Sequence, residues 1–283
     1  EEFEHTMYNA LMATMKNDGS QISKYSPLEG RRQPGEEQCG MHINCCNANG
    51  PRGFALIPKT ACTIKDNHIY LNLYLPLQAT ISLNKKNKVH LNVESDYPIH
   101  GKVNVNIGVQ KKEKFTLALR IPTQIEKMKA YINGEEQEIT HKGGYLYIER
   151  IWENADKVTL DFKIETKVVK LNNSQAIVRG PLLFARDSRF NDGDIDECAT
   201  IKCNNQGVIQ AKIKKNKTGT FPWITLTVPA VLGTDLENVE NKTPKLINFC
   251  DFSSSGNDWN PNGRYRVWIP QTFHAMSEPY KKY

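Results

Sequence analysis

The spacing of apolar residues changes near residue 68, and this change limits the folds that the chain can adopt. Before that point apolar residues recur at every fourth position, at Phe3, Met7, Leu11 and Met15. This period predicts an amphipathic helix over residues 1–17, which Asp18-Gly19 would end. From residue 68 onward apolar and polar residues alternate, which is the period of a half-buried strand. The sequence therefore predicts a mainly β fold, with helix confined to residues 1–17 and a short piece after Asn49.

Many short strands separated by turn residues are typical of antiparallel β-sandwiches. The first predicted set covers 69–74, 79–83, 89–94, 103–109, 115–120, 128–132, 145–149 and 158–162, with a hairpin turn at Asn133-Gly134. The second set covers 167–171, 176–178, 182–185, 207–212, 223–228 and 264–269. Residues 187–205 and 231–262 are polar and are predicted as loops. We expect an N-terminal segment at 1–65, a first sandwich at 66–168 and a second sandwich at 169–283.

Charge and apolar run length exclude two classes of partner. The 37 Lys and Arg against 31 Asp and Glu give a net charge of +6, but the lysines fall in short runs near turns. That spread is typical of solvated faces, so we expect no nucleic acid. No apolar run approaches the ~20 residues of a membrane-spanning helix, so we expect no membrane insertion. The seven cysteines do not form a disulfide framework by their spacing, and Cys198 and Cys203 are either a local bridge or two thiols.

The segment from Asn44 to Gly53 carries the most chemistry, because Cys45 and Cys46 are adjacent. Neighbouring cysteines make a strained disulfide but offer two sulfurs to one metal ion. Asn49 is a candidate helix cap with Pro51 in the first turn, so the pair would lie just before a helix N-terminus, and Pro58 predicts a kink or stop. Partial positive charge at that end favours the thiolate, the form that attacks carbon and binds metal. Two buried thiols in a helix lead-in remain the alternative.

Several motifs then occur in an order that resembles the C-terminal part of glycoside hydrolase family 127, the β-L-arabinofuranosidase group. Residues 4–19 resemble the last long helix of that family's (α/α) barrel. The other matching segments are Tyr25-Ser26-Pro27-Leu28, Cys45-Cys46 with Asn49, Asn72-Leu73-Tyr74, Ser95-Asp96-Tyr97-Pro98, Leu119-Arg120-Ile121-Pro122, Ile132-Asn133-Gly134 and Arg179-Gly180-Pro181-Leu182. The likeness covers most of residues 4–185. It implies that residues 1–65 are the end of a catalytic (α/α) barrel, followed by two antiparallel sandwiches.

The resemblance also implies a mechanism and a set of site residues. Family members are retaining glycosidases in which the first cysteine of the pair attacks the anomeric carbon and both cysteines bind zinc. Carried over, Cys45 is the catalytic nucleophile and a zinc ligand, Cys46 is a zinc ligand, and Tyr25 contacts a sugar hydroxyl. A further Cys and Glu, and a separate Glu that acts as acid/base, come from an earlier barrel segment in the family. We therefore expect this chain to be a C-terminal portion that lacks part of the site.

Other expectations concern the surroundings of such a protein. The substrate would be an oligosaccharide or plant-type glycan, although Asn-Ala-Asn-Gly-Pro-Arg-Gly after the cysteines departs from the usual Pro-Pro-Asn form and indicates a divergent branch. The apolar face of the N-terminal helix should be short of partners within this chain, and we expect it to dock on the first sandwich, on a second copy of the chain or on a missing barrel segment. Bacterial relatives that degrade polysaccharides suggest a periplasmic or secreted location, with a cytoplasmic one also possible.

Two alternatives stay open. Cys39, His42, Cys45 and Cys46 could form a closed structural zinc site, with Glu36 and Glu37 as the nearest acids. The chain could instead be a non-catalytic carbohydrate-binding or structural double sandwich that uses exposed aromatic rings. The candidate rings are Tyr147, Trp152, Trp223, Trp259 and Trp268, of which Trp259 is the best because its segment is polar.

Overall fold

The computed structural model describes residues 1–35, 45–83, 87–139, 141–217, 219–233 and 242–272 of the chain. The chain divides into two compact units. The first unit contains Glu1–Met12, Glu36–Glu165 and Arg179–Leu182, and the second contains Ala13–Gly35, Thr166–Val178 and Leu183–Tyr283. Strands hold 46% of the residues and helices 13%, so the predicted mainly β class is confirmed. Within the described residues no helix has the length and apolar character needed to cross a membrane.

The N-terminal helix is shorter than predicted. It consists of α1 (Glu2–Thr6), a π-helical turn (Met7–Leu11) and α2 (Met12–Thr14). The expectation that it extends to residue 17 is wrong, because Met15 forms an antiparallel bridge with Ile22 and turns the chain away. The apolar face is not short of partners at Met7, whose side chain is only 1% exposed, and residues 1–12 belong to the same unit as the first sandwich, which was one of the three expected partners.

A second long helix begins earlier than predicted. α3 spans Cys45–Ala61, so the cysteines form its first turn and Asn49 lies inside it instead of capping it. Pro51 and Pro58 are both inside the helix, and Pro58 does not end it. A proline within a helix removes one backbone hydrogen bond, but packing can hold the helix together across that gap. The described helices are completed by one 3-10 turn at Ser188–Phe190.

The strands follow in chain order. Those up to residue 163 are β1 (Glu29–Gly30), β2 (Cys62–Lys65), β3 (His68–Leu71), β4 (Leu77–Ser82), β5 (Lys88–Ser95), β6 (Lys102–Val109), β7 (Glu113–Arg120), β8 (Lys127–Ile132), β9 (Glu135–Gln137), β10 (His141–Lys142), β11 (Tyr145–Trp152) and β12 (Asp156–Lys163). Those that follow are β13 (Thr166–Leu171), β14 (Ser174–Arg179), β15 (Leu182–Asp187), β16 (Ala199–Ile201), β17 (Lys212–Lys215), β18 (Ile224–Leu232), β19 (Lys245–Asp251), β20 (Tyr265–Arg266) and β21 (Ile269–Pro270).

The first unit is a sandwich of two sheets. One sheet has the order β4-β5-β6-β12-β8-β9 and the other β10-β11-β7-β3-β2. Inward-facing residues of both sheets share one apolar core, with Val105 of β6 and Leu117 of β7 fully buried. The predicted hairpin turn is confirmed, since Asn133 and Gly134 have φ values of 51° and 92° and join β8 to β9.

One pairing in this sandwich differs from the expected antiparallel arrangement. β3 and β7 are parallel, with Ile69 opposite Leu117 and Leu71 opposite Leu119. A parallel pair needs a long connection, and here β4, β5 and β6 of the opposite sheet lie between the two strands in sequence. Alternation of apolar residues shows which side of a strand is buried, but it carries no information about the direction of its neighbour.

The second unit contains one branched ten-stranded sheet. Its main path is β1-β20-β15-β19-β18-β16, with β14 also paired to β15 and β17 to β18. The prediction that residues 231–262 form only loop is wrong, because β19 lies between β15 and β18 and buries Ile247, Phe249 and Cys250. The predicted strand at 207–212 is also absent; Val208 makes only an isolated bridge with Lys167, and the strand begins at Lys212.

Candidate active site

The first turn of α3 places two thiols side by side. Sγ of Cys45 lies 4.0 Å from Sγ of Cys46, twice the length of a disulfide bond. Cys45 is exposed and Cys46 is half-buried. Both cysteines lie at the N-terminal end of α3 as the structure describes it, and that end of a helix favours negative charge. Cys45 is therefore accessible at the start of the described helix.

The spacing of the two sulfurs fits a shared zinc ion. Two thiolates on a tetrahedral zinc, each at about 2.3 Å, lie about 3.8 Å apart. The 4.0 Å between the two Sγ atoms is close to that value without any change of backbone. Within the described residues no group of three or more His, Cys, Asp or Glu side chains is placed to hold a metal. The cysteine pair thus has the sulfur spacing of two ligands on one zinc ion, of the four that a zinc site needs.

The far end of α3 is fixed to the sandwich by Asn72. Its backbone N–H donates to the carbonyl of Ala61 (2.9 Å), and its Nδ2 donates to the carbonyl of Thr60 (2.8 Å). These bonds satisfy two carbonyls that the helix end leaves without partners. Asn72 in turn accepts a hydrogen bond from the Tyr145 hydroxyl at Oδ1 (2.7 Å). The sandwich therefore positions the helix that carries the cysteines.

Gly53 allows α3 to pack closely against the N-terminal helix. A Cβ atom at this position would lie 2.9 Å from Cδ1 of Leu11. Side-chain carbon atoms do not approach that closely, so only glycine fits without a shift of Leu11. The preceding residue is Arg52, whose Nη1 donates to Asn49 Oδ1 (3.1 Å) and places a positive charge on the second turn of the helix.

Three of the other described cysteines are in surroundings that keep a thiol protonated. Burial raises the pKa of Cys62 to about 11, and burial also raises the pKa of Cys198 and of Cys250. None of the six described cysteines is in a disulfide, so the alternative of a bridge between Cys198 and Cys203 is not realised. Cys62 follows the last residue of α3, so the two ends of one helix carry cysteines in opposite settings.

The remaining sequence candidates fall in different places. Tyr25 is 68% exposed, with Nζ of Lys24 5.3 Å from its ring centroid, and it belongs to the second unit whereas Cys45 belongs to the first. Its predicted contact with a sugar stays a prediction. Cys39, His42, Glu36 and Glu37 lie outside the described residues, and so does the alternative of a closed zinc site that needs two of them.

Of the five aromatic candidates one is buried, three are half-buried and one is exposed. Trp152 is fully buried, and its Nε1 donates to the carbonyl of Phe115 (3.0 Å). The expectation that Trp259 is the most exposed ring is wrong, because the residue is half-buried and its Nε1 is enclosed. Of the candidates only Tyr147, at 37%, counts as exposed. Sequence reasoning missed its neighbours Tyr70 and Tyr145, although both alternate with buried residues on strands and that alternation was the signal.

Part of the first unit matches a model of the family that the motifs resemble. Residues 68–164 match the family model described as "Beta-L-arabinofuranosidase, GH127 middle domain". This range covers β3 to β12, which form most of the sandwich next to α3. A search of curated proteins finds no significant match.

Solved structures share the fold over nearly the whole chain. A GH127 β-L-arabinofuranosidase from Geobacillus stearothermophilus T6 has a TM-score of 0.75 and 21% identity, over 94% of this chain and 45% of that one. A glycoside hydrolase has a TM-score of 0.71 and 22% identity, over 95% and 48%. A GH127 β-arabinofuranosidase has a TM-score of 0.71 and 23% identity, over 94% and 44%. At these identities the likeness shows the shared fold, and the chain spans slightly less than half the length of each structure.

Proposed function

We propose that this chain, whose residues 68–164 match the GH127 middle-domain model, is part of a retaining glycoside hydrolase that uses Cys45 as its nucleophile. The observation that carries the proposal is the pair of adjacent thiols, 4.0 Å apart, in the first turn of α3. An exposed cysteine next to a second sulfur at a helix start is suited to act as a thiolate. The substrate class is a glycan with a β-L-arabinofuranosyl or similar residue, of plant type.

The chemistry would proceed by double displacement. The Cys45 thiolate attacks the anomeric carbon, so a C–S bond forms while the glycosidic C–O bond breaks and a carboxylic acid protonates the leaving oxygen. Water then attacks the same carbon, the carboxylate takes the water's proton, and the C–S bond breaks to restore the thiolate. Two inversions at one carbon give net retention. In the family this acid/base is a Glu from the barrel, so we expect the 283-residue chain alone to be inactive on aryl glycosides.

Cys45 and Cys46 would hold zinc together with further ligands from the barrel. Bound zinc would keep the sulfur deprotonated at neutral pH and lower the barrier to its departure from the sugar. In this scheme Cys46 only binds the metal. The location that goes with such an activity is the periplasm or the outside of the cell, where glycans are met.

The decisive experiment maps the covalent intermediate. In a protein that joins this chain to its barrel, a slow aryl β-L-arabinofuranoside is added, the reaction is quenched in acid, and peptides are analysed by mass spectrometry. We expect a pentosyl adduct on Cys45. Cys45→Ser should abolish turnover with zinc still bound at reduced affinity, whereas Cys46→Ser should lose zinc and activity together. An adduct on another residue, or normal rates for Cys45→Ser, would overturn the proposal.

A further inference from the structure

Four aromatic side chains cluster on the outer face of the five-stranded sheet of the first unit. His68 and Tyr70 of β3 alternate with Ile69 and Leu71, which are fully buried in the core. Tyr145 and Tyr147 of β11 alternate in the same way around Leu146, which is 3% exposed. The period of a strand therefore turns all four rings away from the core. We call this set of His68, Tyr70, Tyr145 and Tyr147 the aromatic cluster.

The Tyr70 ring meets the rings of Tyr145 and Tyr147 at right angles. The Tyr70 centroid lies 5.4 Å from that of Tyr145 at 90° and 6.4 Å from that of Tyr147 at 89°. The His68 ring is nearly parallel to Tyr70, with centroids 6.2 Å apart. These edge-to-face contacts hold the rings in fixed orientations. One ring thus offers a flat face while its neighbours present edges around it.

The middle strand supplies a small residue between the rings. Ala118 of β7 lies opposite Tyr70 on one side and opposite Tyr147 on the other. Its side chain is a single methyl group and is fully buried beneath its neighbours. Directly opposite residues in adjacent strands are close enough for their side chains to interact. The aromatic cluster therefore has a small side chain, Ala118, at its centre and larger aromatic side chains on both sides of it.

The aromatic cluster carries hydrogen-bonding groups, and the charges at its border have both signs: the Asp66 carboxylate acts on Tyr70, and Lys65 lies opposite His68. The pKa of Tyr70 is raised, first by desolvation and then by the neighbouring Tyr147 phenol, so the Tyr70 hydroxyl stays protonated and can donate and accept hydrogen bonds. The nearest carboxylate on β11, Glu149, pairs with Lys114 at 2.5 Å between Oε1 and Nζ. A ligand matched to this surface is neutral, has flat apolar faces and carries many hydroxyl groups.

We propose that the aromatic cluster is a binding site for a neutral polysaccharide, separate from the Cys45 site. Sugar rings present C–H faces that stack on aromatic rings, and their hydroxyls match phenol and imidazole groups at the edges. Tyr147 would stack on one sugar ring, and Tyr70 and His68 would bond its hydroxyls. The inference does not depend on hydrolysis, because it requires no group of α3. It would let the sandwich hold a glycan while the barrel acts on it.

The test measures retardation of the intact 283-residue chain in native gels that contain soluble polysaccharide. The probes are arabinan, galactan and xyloglucan, with polygalacturonate as an acidic comparison. We expect at least one neutral probe to retard the chain and Tyr147→Ala to weaken its apparent affinity about tenfold, the loss of one stacked ring. Tyr147→Phe keeps the ring and should keep most of the affinity.

The matched control is Ile151→Ala. Ile151 lies on the same strand and the same face as Tyr147 and is 58% exposed, but it is outside the aromatic cluster. It should bind as the unchanged chain does, and unfolding temperatures of all variants establish that they are folded. Cys45→Ser should also bind normally, which separates this proposal from the proposed catalysis. Retardation by polygalacturonate alone, no retardation by any neutral probe, or equal losses in Tyr147→Ala and Ile151→Ala would each overturn it.

Discussion

Nη2 of Arg120 lies 2.6 Å from Oε1 of Glu4, and both side chains are buried. The same guanidinium donates from Nη1 to Glu1 Oε2 (2.8 Å) and from Nε to the carbonyl of Asn72 (2.5 Å). Arg120 ends β7, and Glu4 lies in α1, so this ion pair fixes the N-terminal helix to the sandwich of the first unit. Removing one member of a buried pair leaves the other charge without compensation.

We predict that Arg120→Met lowers the free energy of unfolding by about 3–5 kcal/mol at pH 7. Burial raises the pKa of Glu4, and the charge and hydrogen bond of Arg120 oppose that rise. Without Arg120 the folded-state pKa rises further. A raised carboxyl pKa costs stability as pH climbs from the unfolded value toward the folded one, so the loss should be smaller at pH 5.

Urea unfolding at both pH values checks this prediction, and Lys129→Met is its control. Lys129 pairs with Glu136 at 3.1 Å on the surface, with both side chains more than half exposed. An exposed pair contributes about 0–1 kcal/mol, so the control should change little. Equal losses in the two variants would contradict a structural role for the buried pair.

Asp156 gives a second pH dependence of stability, because its pKa is lowered in the folded chain whereas that of Glu4 is raised. Burial would raise the pKa of this carboxyl, but hydrogen bonds from Asn133 Nδ2 (2.8 Å) and the Glu153 N–H (2.9 Å), with the charge of Arg150, lower it overall. The stability it contributes is present above the unfolded pKa of about 3.9 and is lost as pH falls through the folded pKa. Asp156→Asn should cost about 1–3 kcal/mol at pH 7 and progressively less below pH 4. The free energy of unfolding is measured from pH 7 to pH 2.5 for the unchanged chain and for Asp156→Asn. A difference between them that stays constant over this range would refute the prediction.

Gly101 should tolerate no side chain. A Cβ atom there would lie 1.8 Å from the carbonyl oxygen of Phe162, whose N–H also donates to the Gly101 carbonyl (3.0 Å). Because backbone cannot move aside as a flexible side chain does, we predict that Gly101→Ala costs about 3 kcal/mol or more. Gly134→Ala is the comparison. The φ of Gly134 is +92°, and a Cβ atom there would meet open space. Only the left-handed backbone conformation would therefore destabilise this variant, by about 1–2 kcal/mol. Thermal unfolding should rank the two variants in that order.

The cysteines should differ in reactivity. In the folded chain at pH 7.5, iodoacetamide should modify Cys45 and Cys46 much faster than Cys62 or Cys250, because burial raises the pKa of both slow thiols and keeps them protonated. Added zinc should protect the fast pair and leave the slow thiols unaffected. Peptide mapping over time measures both effects. Modification of Cys62 at the rate of Cys45, or protection by zinc at Cys62 alone, would count against a metal-binding pair.

Local patterns predicted the first unit well. Alternating residues located the main strands to within a few positions, and Asn133-Gly134 predicted its hairpin because two adjacent positive φ values suit those residues. Pairing direction was out of reach, since β3 is joined to β7 through three strands of the other sheet and no local signal records that route.

The misses in the second unit have a common cause. β19 was predicted as loop because residues 231–262 are polar over most of their length, yet the strand pairs with β15 and β18 and buries Ile247, Phe249 and Cys250. Tertiary contacts likewise determine the burial of Trp259, which lies in a polar segment but is half-buried. Burial in such segments depends on chain that is distant in sequence.

The candidate site was predictable in its residues but not in its setting. Adjacency marked Cys45 and Cys46, whereas Asn49 and Pro51 suggested a helix start four residues too late. Capping residues and prolines indicate only where an isolated helix would prefer to begin. The packing of α3 on Leu11 at Gly53 outweighs that local preference. No local pattern indicated the role of Asn72 in binding the helix end. That role depends on the carbonyls of Thr60 and Ala61, at the end of a helix eleven residues earlier.

α3 ends at Ala61 and β2 begins at Cys62, with no residue between them. β2 then pairs with β3, and the chain after β3 returns to bind the last carbonyls of the helix. No recombination breakpoint within this segment leaves both parts intact. Chimeras made with a relative should keep Cys45 to Asn72 from one parent, and such exchanges of the sandwich would carry the cysteine helix along as a single inherited block.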